Sequence, residues 1–141
     1  MSDRVFLDSN VWIYAATGHE EYPAKFQRAR EIIGSADIGV STQVVGEFAN
    51  VVQKPAKMRR PLTPEETARW VDQMFVFPLV EVDRQIVENA LFIQRRYKIG
   101  YWDSQIIASA ERFGADVLFS EDLSHTQKYG GLRCHNPFNA A

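Results

Sequence analysis

Residues 5–13 constrain the fold of this chain more than any other stretch. An apolar run, Val5–Leu7, leads into Asp8, and two small polar residues follow before apolar residues resume at helical spacing. This order predicts a buried strand over residues 4–8 that turns directly into a helix near Asn10. Because ligands of open α/β sheets collect at the carboxyl ends of strands, Asp8 is well placed to bind a cation. Asp, Ser and Asn are also ordinary turn and helix-capping residues, so both interpretations remain open for this segment.

Helical and extended patterns alternate along the rest of the chain. Apolar residues at helical spacing predict further helices over residues 23–34, 42–54, 63–74, 83–98 and 103–113. Short apolar runs predict further strands over residues 38–41, 76–82, 116–119 and 132–135. This alternation favours an α/β fold, a three-layer α/β/α sandwich with a mostly parallel central sheet. The chain has 141 residues, which suits a single domain over residues 1–141.

The composition indicates a protein of the cytoplasm with no membrane association. No apolar run approaches the length that would cross a bilayer. The first residues lack a basic segment followed by a long apolar region, so we expect no secretory signal. The one cysteine, Cys134, cannot form an internal disulfide and is expected to be a small buried residue.

Two basic clusters lie in a chain whose net charge is only −2. No acid lies between Glu47 and Glu65 or between Glu88 and Asp103. We predict that basic residues of these segments bind the backbone of a polyanion: Lys54, Lys57, Arg59, Arg60, Arg95 and Arg96. The alternative is that they are solvated loop residues and helix ends, where positive charge is favoured in any case.

Four acidic residues occupy positions that do not suit an ordinary exposed acid, namely Asp8, Glu47, Asp103 and Asp122. Asp8 ends a buried strand, and Asp122 follows the strand predicted over 116–119. Glu47 borders the apolar face of its helix, and Asp103 shares a face with apolar residues at a helix start. Helix capping by Asp103, a turn at Asp122 and a solvated Glu47 are the simpler alternatives.

A joint arrangement of these acids favours a metal site. In a parallel sheet, strand ends and adjacent helix starts converge on one crevice. Carboxylates that meet there repel one another, which raises carboxyl pKa values, and a divalent cation removes that cost. Oxygen-only ligands suit Mg²⁺ or Mn²⁺ rather than zinc, and the chain offers no Cys/His spacing typical of zinc.

These residues resemble the PIN-domain family of metal-dependent ribonucleases, especially the small VapC-like toxins. The resemblance covers essentially the whole chain. The stretch 5–10 resembles the opening strand with its first acid, and Glu47 the second acid. The segment 101–110 resembles the third-acid motif and is the most specific match. The segment 118–123 resembles the final motif, in which a hydroxyl residue precedes the fourth acid by two positions.

The resemblance implies an Mg²⁺- or Mn²⁺-dependent endoribonuclease that hydrolyses RNA phosphodiester bonds. The four acids would be both catalytic residues and metal ligands, and Ser9 and Ser120 would position ligands or water. Glu121 and Asp122 are adjacent, so either could be the fourth acid, although the spacing from Ser120 favours Asp122. As partners the resemblance implies a cognate antitoxin and a second copy of the chain in a homodimer.

Two other functions remain open from the sequence. The first is a toxin-like interaction module with weak or lost nuclease activity, in which helices over 23–33 and 43–53 form a groove for a partner. The second is an acidic-cluster phosphatase that acts on small substrates. Asn10, rather than a second acid, stands two residues after Asp8, which argues against a phosphoaspartate mechanism.

Overall fold

A six-stranded sheet forms the centre of the computed structural model, which describes residues 3–35, 37–123 and 126–139. Its strands are β1 (Arg4–Leu7), β2 (Asp37–Ser41), β3 (Leu79–Val80), β4 (Val117–Phe119), β5 (Lys128–Tyr129) and β6 (Leu132–His135). Their order across the sheet is β3-β2-β1-β4-β6-β5. The pairing is parallel from β3 to β6, and the edge strand β5 is antiparallel to β6.

Helices connect the strands and cover both faces of the sheet. They are α1 (Ser9–Thr17), α2 (Pro23–Ser35), α3 (Thr42–Val52), α4 (Pro64–Met74), α5 (Arg84–Tyr97) and α6 (Tyr101–Phe113). Helix α1 packs against α2 and α3, whereas α5 packs against α6. All three apolar residues of β1 are buried, as expected for a strand covered on both faces. The predicted α/β sandwich with a mostly parallel sheet is therefore confirmed.

Strand β4 lies beside β1 although more than a hundred residues separate the two in sequence. The chain moves outward from β1 through β2 to β3 and then returns through α5 and α6. It enters β4 on the other side of β1, where Phe6 pairs with Leu118. This return brings the carboxyl ends of β1 and β4 together at one edge of the sheet.

Two strands differ from the sequence prediction. The strand predicted over residues 76–82 is reduced to Leu79–Val80, because α4 ends in a turn and Pro78 has no N–H with which to pair. The carbonyl of Pro78 still accepts a hydrogen bond of 3.0 Å from the backbone N–H of Val40. Strand β5, Lys128–Tyr129, is absent from the sequence prediction, since two residues are too few to show a periodic pattern.

Close packing between α6 and the sheet depends on a glycine in β2. A Cβ atom at Gly39 would lie only 2.6 Å from the ring of Phe113. That ring in turn packs on Phe6 of β1, with 6.4 Å between ring centres. The glycine therefore lets α6 approach the sheet, and the first turn of α6 carries one of the candidate acids. Among the described residues, no helix is long and apolar enough to cross a membrane.

Candidate active site

Asp8 lies at the carboxyl end of β1, is almost fully buried, and caps α1. Its Oδ1 accepts a hydrogen bond of 2.7 Å from the backbone N–H of Ser9. Its Oδ2 accepts one of 2.7 Å from the hydroxyl of Ser120. Burial raises the pKa of Asp8, the two hydrogen bonds lower it, and repulsion from Asp122 and Asp103 raises it further. The two hydrogen bonds thus hold the Asp8 carboxylate in place, and the negative charges of two other acids repel it.

Asp103 lies in the first turn of α6 and is not its cap. The helix begins at Tyr101 with Gly100 as the N-cap residue, so the prediction that Asp103 opens the helix is wrong by two residues. Tyr101 and Trp102 belong to the helix, so its pattern begins two residues before the predicted start. Burial raises the pKa of Asp103, and repulsion from Asp122 adds to the effect. An acid in the first turn is also stabilised by the helix dipole.

Ser120 connects Asp8 to Asp122 at the end of β4. While its hydroxyl donates to Asp8, its oxygen accepts from the backbone N–H of Asp122 at 3.1 Å. The carboxylate of Asp122 also accepts a hydrogen bond of 3.3 Å from the side-chain amide of Asn10. Ser120 is fully buried, so these bonds are shielded from water. Two acids from opposite ends of the chain are therefore held by one hydroxyl.

Glu121 has a different environment from Asp122. One of its carboxylate oxygens accepts from the ammonium of Lys25, and the other accepts from the hydroxyl of Tyr14 at 2.8 Å. The ammonium also lies 4.9 to 5.7 Å from the centres of three aromatic rings. The charge of Glu121 is compensated there by α2. Asp122 is the one of the two neighbours that interacts electrostatically with Asp8 and Asp103.

Glu47 lies on α3 and faces the same region. Burial raises its pKa, as does repulsion from Asp8 and from Asp103, whereas hydrogen bonds from Gln43 and Ser9 lower it. Its Oε1 atom is buried, and no hydrogen-bond partner for that atom exists among residues 3–35, 37–123 and 126–139. A buried carboxylate oxygen without a donor is costly unless another ligand meets it.

The chemistry of these acids suits a hard divalent cation, and Glu47 has an oxygen free to contact one. In the described part of the chain, however, no three His, Cys, Asp or Glu side chains are grouped so that they could hold one ion together. Mg²⁺ usually keeps several water ligands and contacts only one or two carboxylates directly. An ion held in that way needs no preformed group of three side chains, so these acids still suit it.

The PIN domain family model matches residues 5–130 of the chain. The chain belongs to the PIN domain family. Its match contains all four acids, from the end of β1 to the segment after β4. No curated protein sequence matches the chain.

Solved structures of low sequence identity share this PIN fold. A toxin–antitoxin complex from Klebsiella pneumoniae is 14% identical with a TM-score of 0.69, and the match covers 96% of this chain and 99% of that one. The sarcin-ricin-loop-cleaving toxin VapC20 of Mycobacterium tuberculosis is 16% identical with a TM-score of 0.64 over 84% of this chain and 91% of that one. FitAcB from Neisseria gonorrhoeae is 16% identical, with a TM-score of 0.64 and coverages of 96% and 99%. At these identities the likeness concerns the fold.

A cavity of about 570 Å³ lies beside α1, and none of the four candidate acids lines it. Asn10, which bonds Asp122, contributes to its lining, and so do three of the predicted basic residues, Lys57, Arg59 and Arg60. Arg60 is partly neutralised there, because it forms an ion pair of 2.9 Å with Glu20. The cavity therefore places part of the first basic cluster near α1 and connects with the acids through Asn10.

The other predicted basic residues do not line this cavity. Lys54 follows the end of α3, and Arg95 and Arg96 lie in the last turn of α5. The guanidinium of Arg96 lies 5.4 Å from the centre of the Tyr97 ring. Positive charge in a last helical turn is favoured by the helix dipole, which accounts for the α5 residues without a ligand.

Sequence reasoning missed several polar residues that hold the acids. Asn10 has a recognisable signal, because it follows Asp8 by two residues at a strand-to-helix turn. Gln43 also has one, since it lies four residues before Glu47 and therefore on the same helix face. Lys25 has none, because its partner Glu121 is 96 residues away in the chain.

Proposed function

We propose that this PIN domain is an Mg²⁺- or Mn²⁺-dependent endoribonuclease and the toxin of a toxin–antitoxin pair. One observation carries the proposal. Acids from β1, α3, α6 and the segment after β4 lie within one another's electrostatic influence, and one of them has a buried oxygen without a donor. Such an arrangement is unfavourable in the metal-free protein and becomes favourable around a dication.

In this proposal Asp8 and Asp103 are the central metal ligands, and Asp122 and Glu47 complete the shell directly or through water. The bound cation would lower the pKa of a water molecule and offset the charge of the scissile phosphate. Ser120 keeps both Asp8 and the Asp122 backbone in place, and Ser9 donates to Asp8 through its backbone. The unpartnered oxygen of Glu47 is available to accept a hydrogen bond from the attacking water and to orient it.

The bond broken would be the one between phosphorus and the 3′ oxygen. Water oxygen would bond to phosphorus, and the products would be a 5′-phosphate and a 3′-hydroxyl. Lys57 and Arg59, which line the same cavity as Asn10, would bind phosphates of the RNA. Lys54, Arg95 and Arg96 would make outer, weaker contacts with the backbone. Arg60 would contribute less, because it already pairs with Glu20.

An antitoxin partner and a homodimer are part of the same proposal. The solved structures that share this fold include a toxin–antitoxin complex from Klebsiella pneumoniae and a VapBC2 complex from Rickettsia felis bound to a DNA fragment from its promoter. These neighbours support a bound protein inhibitor for this chain. Co-expression with the product of a neighbouring small gene, followed by purification and light scattering, tests the partner and the dimer together.

The nuclease is tested with purified wild type, Asp8→Asn and Asp103→Asn. Each is incubated with single-stranded and looped RNA in Mg²⁺, in Mn²⁺ and in excess chelator. Removal of a catalytic group is expected to reduce the cleavage rate about a hundredfold or more. Asp72→Asn is the matched control, because Asp72 is an exposed acid on α4. Equal rates in wild type and both site variants, or cleavage that persists in chelator, would contradict the proposal.

A binding module without nuclease activity is the second candidate. It is favoured by the absence, among the described side chains, of a preformed group of three metal-ligating residues. In that case a partner protein would bind with equal affinity in chelator and in Mg²⁺. The acid variants would bind it as wild type does, and RNA would stay intact.

A further inference from the structure

A chain of hydrogen bonds crosses from α6 to α3 behind the candidate active site. The hydroxyl of Tyr101 donates to Oε1 of Gln105 at 2.8 Å. The amide nitrogen of Gln105 donates to Oε1 of Gln43 at 2.8 Å. The amide nitrogen of Gln43 in turn donates to the backbone carbonyl of Trp102 at 3.2 Å.

The direction of this chain is fixed by the groups at its end. The Trp102 carbonyl is an acceptor, so Gln43 must present its NH₂ group to it. Its oxygen is then left to accept from Gln105, and the oxygen of Gln105 is left to accept from Tyr101. Gln105 is almost fully buried, and a buried amide is expected to have its partners satisfied, as this one has.

The position of Gln43 connects the two acids that come from helices. Gln43 lies one turn before Glu47 on α3, and Trp102 precedes Asp103 in the first turn of α6. The Gln43 amide therefore links the helix that carries Glu47 to the backbone next to Asp103. Gln43 donates to the Trp102 carbonyl and accepts from Gln105, so a rotation of its amide would break both hydrogen bonds at once.

We propose that Gln43 is a positioning residue that sets the spacing between the turn of α3 that carries Glu47 and the turn of α6 that carries Asp103, while Gln105 and Tyr101 fix the orientation of its amide. The inference rests on the proposed metal-dependent nuclease, because positioning matters only if the two acids act on one ion and its water. Groups that hold metal ligands in this way affect metal affinity or activity about 10- to 100-fold when removed.

A bracing role between α3 and α6 is the alternative, and isosteric variants separate the two. Gln43→Glu keeps the size of the side chain but cannot donate to Trp102. Gln105→Glu keeps the bond to Tyr101 and removes the donor to Gln43. Tyr101→Phe removes one hydroxyl only. Gln53→Ala, at the end of α3, and Gln85→Ala, on α5, are controls, because each bonds only within its own helix region.

The experiment measures Mn²⁺ binding to the metal-free full chain by electron paramagnetic resonance, alongside kcat and KM for RNA cleavage. We expect Gln43→Glu to weaken Mn²⁺ binding about 10- to 100-fold and to lower kcat, with KM for RNA within about twofold of wild type. The effect should decrease in the order Gln43→Glu, Gln105→Glu, Tyr101→Phe. Both controls should match wild type.

Three outcomes decide between the possibilities. If Gln43→Glu binds Mn²⁺ and cleaves RNA as wild type does, the positioning role is wrong and the nuclease stands. If the variants lower only the melting temperature, the chain of bonds is a brace and the inference is likewise wrong. If wild type itself neither binds Mn²⁺ nor cleaves RNA, the proposed function and this inference both fail. Should Gln43→Glu not fold, Gln105→Glu and Tyr101→Phe provide the same comparison.

Discussion

The Ser120 hydroxyl donates a hydrogen bond of 2.7 Å to Oδ2 of Asp8, across 112 residues of sequence. Both groups are buried at the ends of neighbouring parallel strands. The same oxygen accepts from the backbone of Asp122. The Ser120 hydroxyl therefore holds two candidate metal ligands in a fixed position relative to each other.

Ser120→Ala is expected to lower both stability and activity. It leaves an oxygen of Asp8 and the backbone N–H of Asp122 without their partner, and an unsatisfied buried group costs about 1–3 kcal/mol. Urea unfolding measures the decrease in the free energy of unfolding. Ser35→Ala is the control, because Ser35 is exposed and bonds only within α2. An unfolding midpoint for Ser120→Ala equal to that of wild type would contradict the role of this hydroxyl.

Asp103→Asn is expected to stabilise the metal-free protein at neutral pH. Burial and repulsion from Asp122 raise the pKa of Asp103, so the folded state holds its proton more tightly than the unfolded state does. The stabilisation that this gives wild type is fully present below the unfolded pKa of about 3.9 and is lost as the pH rises through the folded value.

Thermal melts in chelator between pH 3.5 and pH 8 measure this effect. The advantage of Asp103→Asn should appear as the pH rises and should be absent at the acidic end. The control Asp72→Asn should differ from wild type by the same small amount at every pH. A variant that is less stable than wild type at pH 8 would show that Asp103 is not electrostatically strained.

Mg²⁺ is expected to stabilise wild type through mass action. A ligand present at a hundred times its dissociation constant adds about 2.7 kcal/mol to the free energy of unfolding. Replacing Asp8 with Asn removes a central ligand, so Asp8→Asn should be stabilised little by the same Mg²⁺ concentration. Melts with and without the ion test this, with Ca²⁺ and K⁺ as comparisons. An equal shift in both proteins would place the ion elsewhere.

The pair formed by Lys25 and Glu121 is expected to show energetic coupling. The side chain of Glu121 is only 26% exposed, and Lys25 supplies its counter-charge. Lys25→Met should destabilise the protein, and adding Glu121→Gln should restore part of the lost stability. A double-mutant cycle in urea is expected to give a coupling energy of about 0.5–3 kcal/mol. The exposed pair of Arg84 and Glu88 on α5 is the reference, expected near about 0.3–0.5 kcal/mol.

Lys57→Ala is expected to weaken RNA binding more than Arg60→Ala does. Both residues line the cavity beside α1, but Arg60 already pairs with Glu20. Removing one lysine–phosphate interaction should reduce the slope of log affinity against log salt by about 0.7 for single-stranded RNA. Binding isotherms in Ca²⁺ at several salt concentrations measure the slope, with Arg84→Ala as a control on a different surface. A slope unchanged in Lys57→Ala would remove this cavity from the RNA path.

The sequence is sufficient to predict most of the sheet and the helices, and it singles out the four acids as unusual, because each signal is local. Asp8 contrasts with the apolar run before it, and Glu47 with the apolar face beside it. Strands β3 and β5 have two residues each, which is too short for a period to appear. The start of α6 is set by a glycine cap without a side-chain bond, and such a cap leaves little trace in a sequence.

Sequence reasoning could not predict side-chain contacts between residues that are far apart in the chain. The different environments of Glu121 and Asp122 arise from Lys25, which reaches Glu121 from α2. The bond between Gln43 and Gln105 joins residues 62 positions apart, and nothing in either local pattern indicates the other. These interactions follow from how α2, α3 and α6 pack, and packing is determined by the whole chain.

The place of β4 between β1 and β6 also bears on when during synthesis the activity can arise. A nascent chain that ends before residue 117 lacks β4, so β1 has only β2 as a neighbour. Ser120 and Asp122 are also still missing from such a chain. If the nuclease proposal holds, the protein therefore acquires its activity only after nearly all of its chain has been synthesised.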